Sequence, residues 1–176
     1  MRNHLPDRID PWKLAASGGC LKGRLPLDGM PRLASLVEEV RRTARLELWG
    51  RRDEQGLSFL QGRVEAGVIL RCQRCLGPME ALLEAEVNLA PVHSEAHAEA
   101  LPRHYDPLLV GEQMISLGDL VEDELILALP VVPLHQDPGD CEANGYRPTA
   151  DEPETVKGDN PFAVLSTLLK SSKHQE

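Results

Sequence analysis

Alternating hydrophobic and polar positions dominate the middle of the chain. Leu46 and Leu48 alternate with charged neighbours, and a turn sequence at residues 53–56 precedes a second alternating run that continues to residue 70. A third run, at residues 83–89, alternates with glutamate and asparagine. Strands this close in sequence are most simply antiparallel neighbours with one buried and one wet face. The pattern therefore predicts a small meander of three or four strands.

Helical periodicity flanks these strands on both sides. After Pro31, apolar residues recur at the spacing of one helix face and predict a helix over residues 31–42. They are Leu33, Leu36, Val37 and Val40. A second helix is predicted to start after Ser116, which can cap it, and to end at Pro130. Residues 1–29 and 92–114 show little periodicity, and we expect them to be mostly loop.

The C-terminal part differs in composition from the rest. Residues 136–159 are rich in Asp, Glu, Pro and Gly, and their few apolar residues cannot offset the entropy cost of ordering. Asn160-Pro161 then begins an apolar stripe typical of a helix. We therefore predict a single α+β domain over residues 1–135, an acidic flexible linker over 136–159, and a C-terminal helix and tail over 160–176. The fold class is α+β, with a small antiparallel sheet packed by two or three helices.

The composition is ordinary for a soluble globular protein, with 41% hydrophobic and 27% charged residues. No apolar run approaches the roughly 20 residues that cross a bilayer, and the N-terminus lacks the apolar core of a secretory signal. We therefore expect a cytoplasmic protein with no membrane partner. The four cysteines are unevenly spread, unlike a secreted disulfide framework, so we expect thiols or metal ligands.

The net charge of −9 hides an uneven distribution. Residues 1–75 hold 14 Lys and Arg against 9 Asp and Glu, a balance of +5, whereas residues 76–176 hold 5 against 19, a balance of −14. Such asymmetry points to a nucleic-acid or charged-protein partner. The alternative is a pair of solvated surfaces that partly neutralise each other.

The sequence Cys72-Gln73-Arg74-Cys75 is the strongest candidate for chemistry. A structural zinc site needs four nitrogen or sulfur ligands, and His135 with Cys141 would complete this pair. A redox pair usually lies at a helix N-terminus, but this motif ends a strand and meets a Gly-Pro turn. Packing of the thiols as small apolar groups is the third alternative. Zinc and simple packing both remain open at this point.

Four arginines, Arg51, Arg52, Arg71 and Arg74, lie on or beside the predicted strands. A basic strip on one sheet face is a surface on which an RNA backbone can lie, so we assign them as RNA-binding candidates. Aromatic residues make up only 3% of the chain, and Trp49 and Phe59 are the only ones near this strip. We therefore expect recognition of backbone or shape rather than of single-stranded bases.

The second predicted helix carries a cluster of acidic residues in its first turns. They are Asp119, Glu122, Asp123 and Glu124. Negative charge is favoured at a helix N-terminus by the helix dipole, which explains the cluster without any catalytic role. The alternative is that these carboxylates hold magnesium in an RNA-processing enzyme, although no nucleophile or phosphate loop accompanies them.

Four stretches of the chain together resemble a known family. They are the opening Asp10–Ala15, the cysteine run Leu70–Leu76, the segment Val121–His135 with Cys141 after it, and the tail Asn160–Leu165. In this order they are similar to the bacterial large ribosomal RNA subunit accumulation protein YceD family. The resemblance implies a role in the synthesis, processing or stability of 23S rRNA, and it implies no catalytic mechanism.

We therefore expect a non-enzymatic ribosome-biogenesis factor that binds large-subunit rRNA, basic ribosomal proteins or both. The +5 half would contact rRNA and the −14 half a basic protein. A magnesium-dependent RNA-processing enzyme and a protein-only adaptor are the alternatives. No small-molecule substrate is evident.

Overall fold

Three long antiparallel strands form the centre of the fold in the computed structural model of the chain, which describes residues 5–111 and 114–147. The elements in chain order are β1 Arg8–Ile9, α1 Pro11–Ser17, β2 Cys20–Pro26, α2 Pro31–Leu36, β3 Glu39–Val40, β4 Thr43–Arg52, β5 Ser58–Arg71, β6 Pro78–Val92, α3 Glu95–Glu99, β7 Asp106–Leu109, β8 Ile115–Ser116, α4 Leu117–Leu127 and α5 Pro138–Ala143. The α+β fold class is therefore confirmed.

The predicted meander is the middle of a larger, mixed sheet. Strands β4, β5 and β6 pair in sequence order and antiparallel, and β2 and β7 extend the sheet at its two sides. Strand β7 is parallel to β6, whereas β3 pairs with the second half of β5 beyond the end of β4. Strands β1 and β8 form a separate two-stranded ribbon. None of the helices in the described ranges is long and apolar enough to cross a membrane.

One face of the sheet carries the core, and α4 packs on it. Alternate residues of β4, β5 and β6 are buried there, as period-two patterning requires. Leu117, Leu120, Val121 and Leu125 of α4 are buried against this layer. Ser116 begins the helix by accepting a hydrogen bond from the Asp119 backbone N–H at 3.1 Å, as predicted.

The N-terminal segment is more ordered than expected, since it forms α1 and β2. Asp10 caps α1 by accepting from the Lys13 backbone N–H at 2.9 Å, and Gly18 ends it in the left-handed region. The sequence did not predict strand β2, because an edge strand buries few side chains. Leu25 is the only buried residue of this strand.

The helix expected over residues 31–42 ends at Leu36. Val37 is extended, and the Glu38 and Arg41 backbone N–H groups donate to β5 at Ile69 O and Gly67 O. The apolar spacing beyond Leu36 was therefore coincidental, because pairing with β5 satisfies this backbone instead.

The two segments with weak patterning also contain structure. Helix α3 and strand β7 lie within residues 92–114, which were expected to be mostly loop. Helix α5 lies within the expected linker 136–159, and its Cys141 is fully buried. The ordered fold therefore continues past residue 135. Residues 148–159 of that linker and the terminal helix predicted over 160–176 lie outside the described residues.

Candidate functional site

The two cysteines of the C-x-x-C sequence lie in the loop between β5 and β6. The Cys72 backbone N–H donates to Gly77 O at 2.9 Å, and the Leu76 N–H donates to Cys72 O at 2.9 Å. Leu76 has a φ of 59°, a left-handed conformation that is costly for a leucine. This turn places the Cys72 and Cys75 sulfur atoms within 4.8 Å of each other.

A second chain segment brings the remaining ligand candidates to this loop. The Gln73 backbone N–H donates to Pro133 O at 2.8 Å, which fixes the approach to His135. Asp137 and Pro138 then start α5, and this short helix turns Cys141 into the interior. Two segments some sixty residues apart in sequence therefore meet at one point.

The four atoms that face each other form a Cys3His group that could hold a metal ion. His135 Nδ1 lies 3.5 Å from Cys75 Sγ and 3.5 Å from Cys141 Sγ, while Cys72 Sγ lies 3.8 Å from Cys141 Sγ. Bond lengths of about 2.3 Å to sulfur and 2.0–2.1 Å to nitrogen in a tetrahedral zinc site give ligand separations of about 3.8 Å between sulfurs and about 3.5 Å between sulfur and nitrogen. The three separations given above match these values, and all four ligand atoms lie within 4.8 Å of one another.

The surroundings prepare His135 for a ligand role. Its Nε2 atom lies 3.3 Å from the Pro78 carbonyl oxygen. A proton on Nε2 can be donated to that carbonyl, which leaves the Nδ1 lone pair facing the thiols, and metal-bound histidines are commonly held in this way. Arg74 places Nη1 3.8 Å from Cys141 Sγ, where its positive charge offsets thiolate charge.

The thiols differ in acidity. Burial raises the pKa of Cys72, but three backbone N–H groups and the His135 side chain outweigh burial and lower the pKa to about 5. These N–H groups belong to Cys75, His135 and Arg74. Burial, with the neighbouring thiols of Cys75 and Cys72, raises the pKa of Cys141 to about 11. Several thiolates this close repel each other, and a divalent cation would remove that penalty.

The four arginines proposed for RNA binding do not form one surface. Arg51 and Arg52 end β4 beside the start of β5, whereas Arg71 and Arg74 lie at the other end of β5. The 14 residues of β5 span about 43 Å at 3.3 Å per residue. Arg71 is also paired with Glu38 at 2.8 Å, and Arg74 contacts the cysteine group. Of these four arginines, only Arg51 and Arg52 are exposed and have no carboxylate partner among the described residues.

Instead of the expected basic strip, the sheet carries arginine and lysine side chains that are paired with glutamates. Arg63 pairs with Glu65 and Glu84, Arg45 with Glu65, and Lys22 with Glu47. Adjacent strands place opposite charges next to each other, so the positive charges on this face are largely neutralised. Arg51 and Arg52 take no part in these ion pairs.

An aromatic pair that the sequence did not reveal lies beside Arg52. Trp12 of α1 stacks on His93, with ring centroids 4.3 Å apart and planes 17° apart. Both residues line a cavity of about 670 Å³, together with Arg52. Trp12 Nε1 is buried and has no hydrogen-bond acceptor among the described residues. A buried donor without an acceptor lowers the stability of the fold by about 1–3 kcal/mol. The available signal was Asp10-Pro11, a helix-start pair that fixes the following tryptophan.

Two of the four acidic residues of the α4 cluster, Glu122 and Asp123, make side-chain contacts within the fold. Glu122 is buried and accepts from the Leu33 backbone N–H at 3.0 Å and from Arg32 Nε at 2.9 Å. Asp123 pairs with the same arginine at 2.5 Å. The Cys3His group is the one potential metal cluster found among the described residues.

Comparisons with known proteins agree with the resemblance seen in the motifs. A family model described as "Large ribosomal RNA subunit accumulation protein YceD" matches residues 60–169. A protein of that name from Haemophilus influenzae is 38% identical over 167 residues, which is 93% of this chain and 95% of the relative. None of the solved structures is significantly similar to the chain. Because both matches extend over most of the chain, it belongs to the large ribosomal RNA subunit accumulation protein YceD family.

Proposed function

We propose that this protein supports the accumulation of large-subunit rRNA in the cytoplasm, as a non-enzymatic factor that binds pre-large-subunit rRNA, basic ribosomal proteins or both. The observation that carries the proposal is its 38% identity, over 93% of its length, to a relative named for that role. The opposite charge balance of its two halves supports contact with two kinds of partner. Arg51 and Arg52 are the RNA-binding candidates that remain free of carboxylates among the described residues.

Depletion of the protein in its own organism tests this function. We expect 23S rRNA to fall relative to 16S rRNA, with recovery when the wild-type gene is restored. Crosslinking to the tagged protein is then expected to recover large-subunit rRNA sequences. Unchanged 23S rRNA after depletion would refute the proposal, and protein-only adducts would identify an adaptor instead. Magnesium-dependent trimming of precursor rRNA by the pure protein, lost in Asp123→Asn, would identify an enzyme.

We also propose that the Cys3His group binds one structural zinc ion. The sulfur and nitrogen separations support this, as do the Pro78 contact of His135 and the nearby Arg74 charge. When bound, zinc would fasten the β5–β6 loop to the segment that begins α5. Its free energy of binding would then contribute directly to folding.

Zinc content and thermal unfolding test this site. We expect one zinc per wild-type chain and loss of zinc in Cys72→Ser with Cys141→Ser. Zinc at about one hundred times its dissociation constant contributes about 2.7 kcal/mol, so a chelator should lower Tm by about 5–10 °C in a domain of this size. Cys20→Ser is the matched control, since Cys20 is an exposed thiol on β2 outside the group. Metal-free protein with a Tm insensitive to zinc and chelator would refute the site.

A further inference from the structure

The cavity lined by Trp12, Arg52 and His93 lies at the opposite end of β5 from the cysteine group. Its volume of about 670 Å³ is within the range of about 300–1,000 Å³ that small-ligand sites occupy. Pro91, Leu101 and Pro102 supply apolar wall, while Arg52, His93 and His97 supply polar groups. An apolar slot with a few polar groups at its edge is the usual composition of a ligand site.

The aromatic side of the cavity is held in place by the fold. Gly50 of β4 lies so close to α1 that a Cβ there would be 1.9 Å from Leu14 O, so this helix is pressed onto the sheet. Trp12 on that helix is therefore fixed against His93, whose side chain is exposed. A rigid, partly exposed aromatic pair is the surface on which an unpaired base stacks.

The charge at the cavity favours an anionic group. Arg52 is exposed, its Nε–H donates to Ser58 Oγ at 3.4 Å, and it has no carboxylate partner among the described residues. None of the described residues that line the cavity is acidic. A purely apolar ligand would leave this arginine unused, and a free phosphate would leave the aromatic pair unused. A base joined to a phosphate uses both.

We propose that this cavity binds one unpaired nucleotide of an RNA strand, with the base against the Trp12–His93 pair and a backbone phosphate at Arg52. The inference rests on the proposed function, since it names the RNA feature that the protein recognises. It also replaces the expectation that bases are not read, because chain folding brings a tryptophan from residue 12 to the arginine at 52.

Binding of a fluorescein-labelled oligoadenylate of about ten nucleotides, a length typical of single-strand sites, tests the cavity. Loss of one stacked base is worth about 1–3 kcal/mol, so Trp12→Ala should weaken binding about 5- to 150-fold, with a smaller loss in Trp12→Phe. Arg52→Gln should weaken binding and reduce the salt slope by about one. Arg24→Gln, at an exposed arginine of β2 outside the cavity, should change neither.

A second measurement guards against misfolding of the Trp12→Ala variant. In Trp49→Phe, Trp12 is the one remaining tryptophan, and its emission should be quenched as the oligonucleotide saturates. The proposal is overturned if the wild-type protein does not bind the oligonucleotide, if binding leaves Trp12 emission unchanged, or if Trp12→Phe and Arg52→Gln both bind as the wild type does. If any of these results is obtained while crosslinking still recovers large-subunit rRNA, the proposed function stands and only nucleotide binding at the cavity is refuted.

Discussion

Replacing Glu122 by alanine removes a carboxylate that joins α4 to the start of α2. The Glu122 side chain is 3% exposed, and Oε1 accepts the Leu33 backbone N–H at 3.0 Å. Helix α2 has no side-chain cap of its own, since Met30 occupies the N-cap position. Glu122 therefore caps a helix that lies about ninety residues earlier in the chain.

The loss expected for Glu122→Ala follows from these contacts. A buried N–H left without an acceptor costs about 1–3 kcal/mol, and the buried methylene that is removed adds about 0.8 kcal/mol. We expect the free energy of unfolding to fall by about 2–4 kcal/mol. Glu122→Gln keeps an oxygen for the Leu33 N–H and nearly the same volume, so it should cost about 1 kcal/mol or less.

Urea unfolding of the two variants and the wild type measures the difference. The unfolding midpoint should fall far more for Glu122→Ala than for Glu122→Gln, with the slope unchanged. Arg32→Met is the companion variant, and it should cost less than Glu122→Ala because half of the Arg32 side chain is exposed. Equal losses in the alanine and glutamine variants would refute the capping explanation.

Two further changes test the packing of α1 and the burial of an acidic group. Gly50→Ala places a Cβ 1.9 Å from Leu14 O, so urea unfolding should show a free energy of unfolding lower by about 1–3 kcal/mol. Gly29→Ala is the control and should be nearly neutral, because a Cβ there meets nothing within 4 Å. Equal effects of the two substitutions would contradict the close approach of Gly50 to α1. Burial, with Asp106 and Asp123, raises the pKa of Glu124 above 4.5. Its charged form therefore destabilises the fold above the raised pKa, and this penalty disappears as pH falls towards 4.5. Glu124→Gln should raise Tm near neutral pH and lose that advantage in acid, and a pH-independent difference would contradict the assignment.

The ligand set of the candidate metal centre could be chosen from the sequence, but its geometry could not. A C-x-x-C after a strand supplies two thiols from one turn, and His135 and Cys141 were the remaining candidates downstream. Whether they approach the turn depends on the Gln73 to Pro133 hydrogen bond, which has no local signal, and on α5. The Asp137-Pro138 pair is a local signal for the start of α5, but it does not reveal where that helix packs. The four arginines do not lie on one surface, and spacing along a strand does not reveal that Arg71 pairs with Glu38.

Alternation, helical periodicity, caps and motifs are local properties, and they are enough to predict the α+β class, the three central strands, helix α4 with its Ser116 cap, and the family. The edge strands β2 and β7, the end of α2 at Leu36, and the meeting of Trp12, Arg52 and His93 appear only in the folded protein. These features depend on hydrogen bonds and packing between residues far apart in sequence, so they cannot be predicted from one stretch of the chain alone. The distribution of surface charge also depends on the fold, because ion pairs form between residues on neighbouring strands.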